Sequence, residues 1–215
     1  LLERLSTQNA CHNLDSGCDM IGHPIDNSVK YVNFITIKIT PNTYSFMILG
    51  LSVLAQAFIF ISYGAYADYG NNRKKYLYTT AISGSIILML FMIFCILDVW
   101  WLPGILVILC NTLFGLSIVF YNSYLPLIVR NQEVYLNNNN LDECKKIEER
   151  LSNEISTSGY IYGYLAGFVS TLIALAILMI YPNGDSYNDV NTNNALYLAI
   201  SIMGLWWLIF SIYSI

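Results

Sequence analysis

Residues 102–129 read LPGILVILCNTLFGLSIVFYNSYLPLIV and carry no charged side chain. A bilayer has a hydrocarbon core about 30 Å thick, which takes about 20 apolar residues of helix to cross. A backbone that faces lipid must satisfy its own hydrogen bonds, so an interval of this length indicates a helix rather than a strand. Pro103 stands where the first turn of a helix tolerates a missing amide hydrogen. These residues therefore predict a transmembrane helix.

Four more uncharged intervals lie on either side of this one, and each is long enough to cross a bilayer. Trp100 and Trp101 mark a membrane interface, which indole rings favour. The sequence Pro182-Asn-Gly-Asp185 is a turn signal. We therefore predict an all-α, polytopic transmembrane helical bundle, with helices at 45–67, 76–97, 102–129, 158–181 and 195–215.

The composition of the whole chain points the same way. Of its 215 residues, 56% are hydrophobic and 11% are charged, whereas a soluble domain has about 25% charged residues. So few charged side chains cannot cover the surface of a water-soluble domain of this size. A net charge of −4 with only 10 Lys and Arg also argues against a disordered chain and against nucleic-acid binding. The lipid bilayer is therefore the first expected partner.

Basic residues fall mainly on two connections between the predicted helices. Seven of the 10 Lys and Arg lie in residues 68–75 and in the connection 130–157. Short cytosolic loops collect such residues, so we expect both connections in the cytosol and residues 1–44 on the opposite, lumenal side. The chain begins without Met and ends inside an apolar run. We therefore expect an interior fragment whose earlier and later transmembrane helices are missing.

The expected lumenal segment contains Cys11 and Cys18. On an oxidising face two such thiols are able to close a small disulfide loop, and free thiols are the equal alternative. His12 and His23 lie nearby, but the paired Cys-x-x-Cys spacing typical of zinc sites is absent. We predict no metal site.

The connection 130–157 has helical spacing of apolar residues after its Asn-rich run. This spacing fits an amphipathic helix on the membrane surface or a solvated linker helix. With six acidic and four basic residues, its attraction to anionic lipid is weak, which favours the linker.

A short polar motif, Gly64-Ala-Tyr-Ala-Asp-Tyr-Gly-Asn-Asn-Arg-Lys-Lys75, follows the first predicted helix. Asp68 stands at the carbonyl-rich end of that helix, where an anion is unfavourable unless a cation or another helix amino terminus compensates it. Arg73 and Lys74 are close enough in sequence to do so. A contact that forms in one conformation and breaks in another is a gate. The plain alternative is a loop whose cations only fix topology. The candidate gating loop consists of Gly64, Asp68, Gly70, Arg73 and Lys74.

This motif resembles the signature G-x-x-x-D-R-x-G-R-R/K between the second and third helices of the major facilitator superfamily. Gly64 and Asp68 match its spacing, whereas Gly70 comes one residue early and the basic pair one residue late. With Asn122-Ser-Tyr-Leu-Pro126 and Ser158-Gly-Tyr-Ile-Tyr-Gly-Tyr-Leu-Ala-Gly167, the chain resembles the fungal autophagy-related protein twenty-two family of vacuolar permeases.

The resemblance implies a twelve-helix transporter in the vacuole membrane. Such a protein exports amino acids, such as leucine and other neutral amino acids, to the cytosol after autophagic degradation. This chain would hold about the second to sixth helices of a partial major facilitator fold. Its partners would be small-molecule amino acids and the missing transmembrane helices.

Gly159, Gly163 and Gly167 recur every four residues on one predicted helix face. Small residues at this spacing let two helix backbones approach closely in lipid. We expect a tight helix contact there, with a sliding surface as the alternative.

No ionisable side chain lies deep in a predicted helix, although such residues usually mark transport pathways. Gln56, Asn111 and Asn122 remain as polar candidates for a substrate path. Their amides suit the ammonium and carboxylate of an amino acid, but hydrogen bonding to a neighbouring helix is the favoured role.

Two other function classes stay open. A non-transporting membrane scaffold or lipid-handling protein is the alternative, and it predicts a tightly packed bundle without a polar cavity at Gln56 and Asn111. An enzyme is disfavoured because no combination of His, Cys and carboxylates falls within the predicted helices. No cofactor is predicted.

Overall fold

The structure, a computed structural model, describes residues 1–12, 32–34, 37–68, 73–95, 99, 101–132, 141–180 and 190–213. Nine elements follow one another along these residues. They are α1 (Leu2–His12), β1 (Val32–Phe34), β2 (Ile37–Ile39), α2 (Pro41–Asp68), α3 (Arg73–Leu90), a 3₁₀ segment (Phe91–Cys95), α4 (Leu102–Arg130), α5 (Leu141–Ile180) and α6 (Val190–Tyr213).

Five of the helices in the described residues, α2 to α6, are long and apolar enough to cross a membrane. Their most apolar windows have mean hydropathies between 1.8 and 2.2. The prediction of an all-α, polytopic helical bundle is therefore confirmed.

Helix α2 begins four residues before the predicted start. Pro41 occupies its first position, where the fixed φ of proline suits a helix and its missing N–H costs nothing. The hydroxyl of Thr40 accepts a hydrogen bond from the backbone N–H of Thr43 at 3.4 Å, as a helix-capping side chain does. This local chemistry, rather than hydropathy, sets the start of the helix.

Helix α3 begins at Arg73, so three basic residues that we expected in a loop form its first turn. Lys and Arg are good helix formers, and the loop shortens to residues 69–72. At its other end the helix gives way after Leu90 to the 3₁₀ segment. The helix predicted over 76–97 is thus shifted towards the amino terminus.

Helix α5 is a single helix of 40 residues. The expected cytosolic connection and the fourth predicted transmembrane helix therefore share one uninterrupted backbone from residue 141 onward. At 1.5 Å per residue the helix is about 60 Å long, about twice the thickness of a bilayer core. None of the residues in its most apolar window is buried within the chain.

The segment before α2 contains structure that the sequence did not predict. Strands β1 and β2 form an antiparallel pair, with Val32 opposite Ile39 and Phe34 opposite Ile37. Helix α1 packs against α2, and the fully buried hydroxyl of Ser6 donates to the backbone carbonyl of Glu3 at 2.9 Å. Strands of three residues carry too short an alternation to be recognised from sequence.

Helix α4 lies at the centre of the bundle, where it packs against α2, α3 and α5. Gly104 and Gly115 make room for side chains of α2: a Cβ atom at Gly104 would lie 2.5 Å from the hydroxyl of Tyr44, and one at Gly115 would collide with the ring of Phe60. Phe120 of α4 is 2% exposed and packs with Leu116 in a small apolar cluster.

The backbones of α3 and α6 approach each other closely at Gly204. A Cβ atom at Gly204 would lie 2.9 Å from the amide nitrogen of Met89 and 3.0 Å from the carbonyl oxygen of Ser85. These are backbone atoms, which cannot rotate away. The contact fixes the position of α6 against α3.

Candidate functional site

The candidate gating loop connects α2 to α3. Helix α2 ends at Asp68 and α3 starts at Arg73. Gly70 and the side chain of Asp68 lie outside the described residues. Gly64 stands one turn before the end of α2, and no described atom lies within 4 Å of the position where its Cβ would be. The glycine is therefore not required by packing among the described residues.

Arg73 ties the start of α3 to α4. Its guanidinium Nη1 donates a hydrogen bond to the backbone carbonyl of Ser123 at 3.0 Å. A hydrogen bond from a charged donor is about twice as strong as one between neutral groups. The basic residue thus holds a neighbouring helix in addition to any role in membrane topology.

The acceptor of this bond lies next to a weakened turn of α4. Pro126 lies inside the helix and has no amide hydrogen, so the carbonyl of Asn122 loses the donor that a regular helix would provide. The carbonyl that Arg73 contacts is the next one along the chain. The Arg73 guanidinium therefore supplies a hydrogen-bond donor to the turn of α4 that lacks one backbone N–H donor.

Lys74 occupies the next position of α3 and is exposed. Its Nζ lies 5.8 Å from the centroid of the Tyr78 ring, one turn later in the helix. An aromatic face attracts an ammonium group at this distance. The two basic residues of the loop thus have different neighbours, a backbone carbonyl for Arg73 and an aromatic ring for Lys74.

Two amides predicted as polar candidates meet between α2 and α4. Gln56 donates from Nε2 to the backbone carbonyl of Asn111 at 2.9 Å. Asn111 donates from Nδ2 to the hydroxyl of Ser52 at 2.8 Å, and Ser52 donates to the carbonyl of Leu49 at 2.7 Å. We name Ser52, Gln56 and Asn111 the amide cluster. It joins the two helices in the way expected of amides that bond to a neighbouring helix.

The amide cluster also leaves acceptor atoms unused. Among the described residues, neither Oε1 of Gln56 nor Oδ1 of Asn111 accepts a hydrogen bond. Gln56 stands near the middle of α2, and Asn111 stands about a third of the way along α4. Ser52 is fully buried, whereas the two amides are partly exposed. The cluster thus offers two carbonyl-type oxygens away from the ends of both helices.

Asn122, the third polar candidate, is exposed and separate from the amide cluster. It lies 11 residues after Asn111 on the same helix, about 16 Å further along the axis. The structure therefore brings together two of the three candidates.

The glycines of α5 have little to pack against among the described residues. A Cβ atom at Gly159 would lie 3.4 Å from the hydroxyl of Tyr121. At Gly163 and Gly167 no described atom lies within 4 Å of that position. Tight packing of this face stays a prediction, and a partner for Gly163 and Gly167 must come from beyond the described residues.

The predicted disulfide cannot be placed, because Cys18 and the side chain of Cys11 lie outside the described residues. Among the described residues, Cys110 and Cys144 do not form a disulfide. Within the part of the chain that the structure describes, no group of three or more His, Cys, Asp or Glu is arranged to hold a metal ion.

Sequence reasoning missed two members of these contacts. Ser52 precedes Gln56 by four residues, a spacing that places both on one helix face and signals a shared partner. The carbonyl of Ser123 has no such signal, since any residue supplies a backbone oxygen. The nearest distinctive sequence feature is Pro126, which weakens the same turn of α4.

The chain matches a known protein family along nearly its whole length. Residues 2–215 match the family described as "Vacuole effluxer Atg22 like". Three fungal proteins called autophagy-related protein 22 or 22-1 are each 30% identical to it. The Coccidioides immitis protein matches over 82% of this chain and 33% of its own length, that of Penicillium rubens over 87% and 38%, and that of Pyricularia oryzae over 87% and 32%. The chain thus spans about a third of these relatives. No solved structure matches it.

Proposed function

This chain belongs to the family of Atg22-like vacuole effluxers, and on that premise we propose that the protein containing it exports amino acids from the vacuole to the cytosol. Leucine and other neutral amino acids formed by autophagic degradation are the proposed substrates. The observation that carries the proposal is the family match over residues 2–215, together with five helices fit to cross a membrane. Residues 68–75 and 130–157 face the cytosol in this proposal, and residues 1–44 face the lumen.

The chain would supply about the second to sixth of twelve helices. In a carrier of this type the two halves rock around a site near the middle of the membrane. The amide cluster lies at a suitable depth. Its two unused oxygens suit the ammonium group of an amino acid, and its hydrogen bonds hold those oxygens in place. Gln56 and Asn111 are therefore the proposed substrate contacts, with Asn122 nearer to the cytosolic exit.

The loop between α2 and α3 is the proposed cytosolic latch. The bond from Arg73 to the carbonyl of Ser123 holds the start of α3 against α4. Asp68, at the carbonyl-rich end of α2, needs a positive partner, which a helix amino terminus from the rest of the protein would supply. Closure of the latch would stabilise one access state.

Efflux from isolated vacuoles tests the proposal. Vacuoles that lack their own copy receive the full-length protein, are loaded with a panel of labelled amino acids, and are followed for release. We expect release of neutral amino acids that requires the protein, and much less release of charged ones. Absence of protein-dependent release from correctly localised, folded protein contradicts the proposal and favours the scaffold or lipid-handling alternative.

Tags in residues 69–72 and 133–140 of the full-length protein test the orientation. Access of a membrane-impermeant reagent to both tags from the cytosolic face is the expected result. Labelling of the two positions from opposite faces contradicts it.

A further inference from the structure

A cavity of about 570 Å³ lies between α3, α4 and α6, away from the amide cluster. Its volume is in the range of small-ligand sites, about 300–1,000 Å³. Six side chains form its chemically distinctive wall: Lys74, Tyr78, Tyr121, Tyr124, Trp207 and Phe210. None of the proposed substrate contacts lines it. The cavity is thus a separate candidate site.

The lining of the cavity changes along the helices from charged to aromatic and aliphatic. Lys74 is the second residue of α3 and stands at the mouth of the cavity, whereas Trp207 lies one turn deeper than Phe210 on α6. The Trp207 ring rests on Gly84, where a Cβ atom would lie 2.6 Å from ring atom Cη2. The absence of a side chain at Gly84 therefore makes room for the indole. A cation stands at the membrane-interface end, with aromatic and aliphatic surface behind it.

The side of the cavity is open towards the surroundings of the bundle. Ile118 of α4 is 43% exposed and Phe210 of α6 is 55% exposed, and both line the cavity. A molecule in the membrane can therefore enter between these two helices. The ammonium of Lys74 stays accessible at the mouth, because the Tyr78 ring approaches it from one side only.

The residues that line the cavity suit an anion better than a zwitterion. An amino acid needs an acceptor for its ammonium group as well as a cation for its carboxylate. Among the described residues that line the cavity there is one lysine and no carboxylate. The hydroxyls of Tyr121 and Tyr124 supply further donors. A single negative charge attached to an apolar chain satisfies this wall better than a free amino acid does.

We propose that this cavity binds an anionic glycerophospholipid, with its phosphate at Lys74 and the first part of an acyl chain against Trp207 and Phe210. Basic pockets between transmembrane helices bind lipid headgroups by the same electrostatics, and aromatic rings favour headgroup depth. The site depends on Lys74 lying at a membrane interface and not on amino-acid transport. Its test is therefore independent of the efflux assay.

Quenching of Trp207 fluorescence by brominated lipids tests the proposal. The full-length protein is placed in phosphatidylcholine vesicles that contain increasing fractions of either dibromo-phosphatidylglycerol or dibromo-phosphatidylcholine. The difference between proteins with and without Trp207→Phe isolates the signal of this tryptophan. We expect half-maximal quenching at an about fivefold lower fraction of the anionic lipid, as one lysine near a membrane surface provides.

Matched variants separate this site from general surface charge. Lys74→Gln should abolish the preference for phosphatidylglycerol, and Lys74→Arg, which keeps the charge, should retain it. Lys75→Gln removes the adjacent exposed cation, which does not line the cavity, and should leave the preference intact. Unchanged quenching by dibromo-phosphatidylcholine in Lys74→Gln shows that loss of the preference does not reflect misfolding.

Four results would overturn the proposal. Equal quenching by the two lipids shows that the cavity does not select an anionic headgroup. An equal loss in Lys75→Gln shows that only surface charge acts. Relief of the quenching by inorganic phosphate identifies a free-anion site, and relief by leucine identifies a substrate pocket.

Discussion

The guanidinium of Arg73 and the backbone carbonyl of Ser123 are joined by a 3.0 Å hydrogen bond that connects the first turn of α3 to the turn of α4 before Pro126. A basic residue at a helix amino terminus is electrostatically unfavourable, and the carbonyl offsets this cost. The contact is local, charged and reversible. These are the properties that a latch requires.

Replacement of this donor should impair transport by the full-length protein. A hydrogen bond to a charged group contributes about 1.5–3 kcal/mol, so Arg73→Gln should shift the balance between access states by about tenfold or more. We expect leucine efflux to fall by a similar factor, with Arg73→Lys retaining part of the rate. A variant of neighbouring Lys75, Lys75→Gln, is the control, and an equal loss in that variant would show that only loop charge matters.

Asp68 offers a second test of the latch. Asp68→Asn keeps the size of the side chain and removes the charge that a cation or helix amino terminus would contact. We expect slower release of preloaded leucine from vacuoles at an unchanged protein level. An unchanged rate would remove Asp68 from the latch.

Loss of the amide cluster should loosen α2 from α4. Asn111→Ala removes the bond to Ser52, and hydrogen bonds between transmembrane helices contribute about 0.6–1.7 kcal/mol. We expect a lower melting temperature of the full-length protein in detergent and a raised KM for efflux. Asn122→Ala, at an exposed position of the same helix, should leave the melting temperature unchanged. If both variants melt alike, the cluster does not stabilise the helix pair.

The α3–α6 contact should tolerate no added atom. At Gly204 a methyl group meets the backbone of Ser85 and Met89 at 3.0 Å or less, and overpacking costs about 1–3 kcal/mol. Gly204→Ala should therefore lower the melting temperature, whereas Gly50→Ala should not, because no described atom lies within 4 Å of that position. Equal stability of the two variants would place α6 further from α3 than the structure does.

Gly163 tests for a helix partner beyond the described residues. No described atom lies within 4 Å of a Cβ at this position, so we expect Gly163→Leu to disturb packing through parts of the full-length protein beyond the described residues. We expect a lower melting temperature and less efflux in the full-length protein, with Gly50→Leu as the control at another open glycine. If Gly163→Leu and the control behave alike, the glycine face of α5 meets lipid.

Hydropathy and charge were sufficient to predict five membrane-crossing helices, since the energetic cost of charge in lipid leaves long uncharged intervals. Helix ends were predicted less well because capping by Thr40 and the helical preference of Lys74 and Lys75 act locally. The glycines showed the same limit. The regular spacing of Gly159, Gly163 and Gly167 can be seen in the sequence. The close contact at Gly204 cannot be predicted from it, because that contact depends on which helix becomes the neighbour.

The residues of the candidate site were also predictable from the sequence only in part. Gln56 and Asn111 were recognisable because amides are rare within apolar intervals. The acceptor at Ser123 was not, because its chemistry lies in the backbone. Nothing in the side-chain pattern revealed that Lys74 and Trp207, far apart in sequence, line one cavity.

The uninterrupted backbone of α5 has a mechanical consequence. A rod about 60 Å long turns as one body, so a tilt of about 10° displaces its far tip by about 10 Å. The ion pair between Arg130 and Glu148, at 3.0 Å, joins this rod to the end of α4 about 10 Å from its amino-terminal tip and about 48 Å from its carboxyl-terminal tip. Small rotations about that fulcrum are therefore converted into large excursions at the carboxyl-terminal tip alone, and a small movement of the short arm produces a larger movement of the long one.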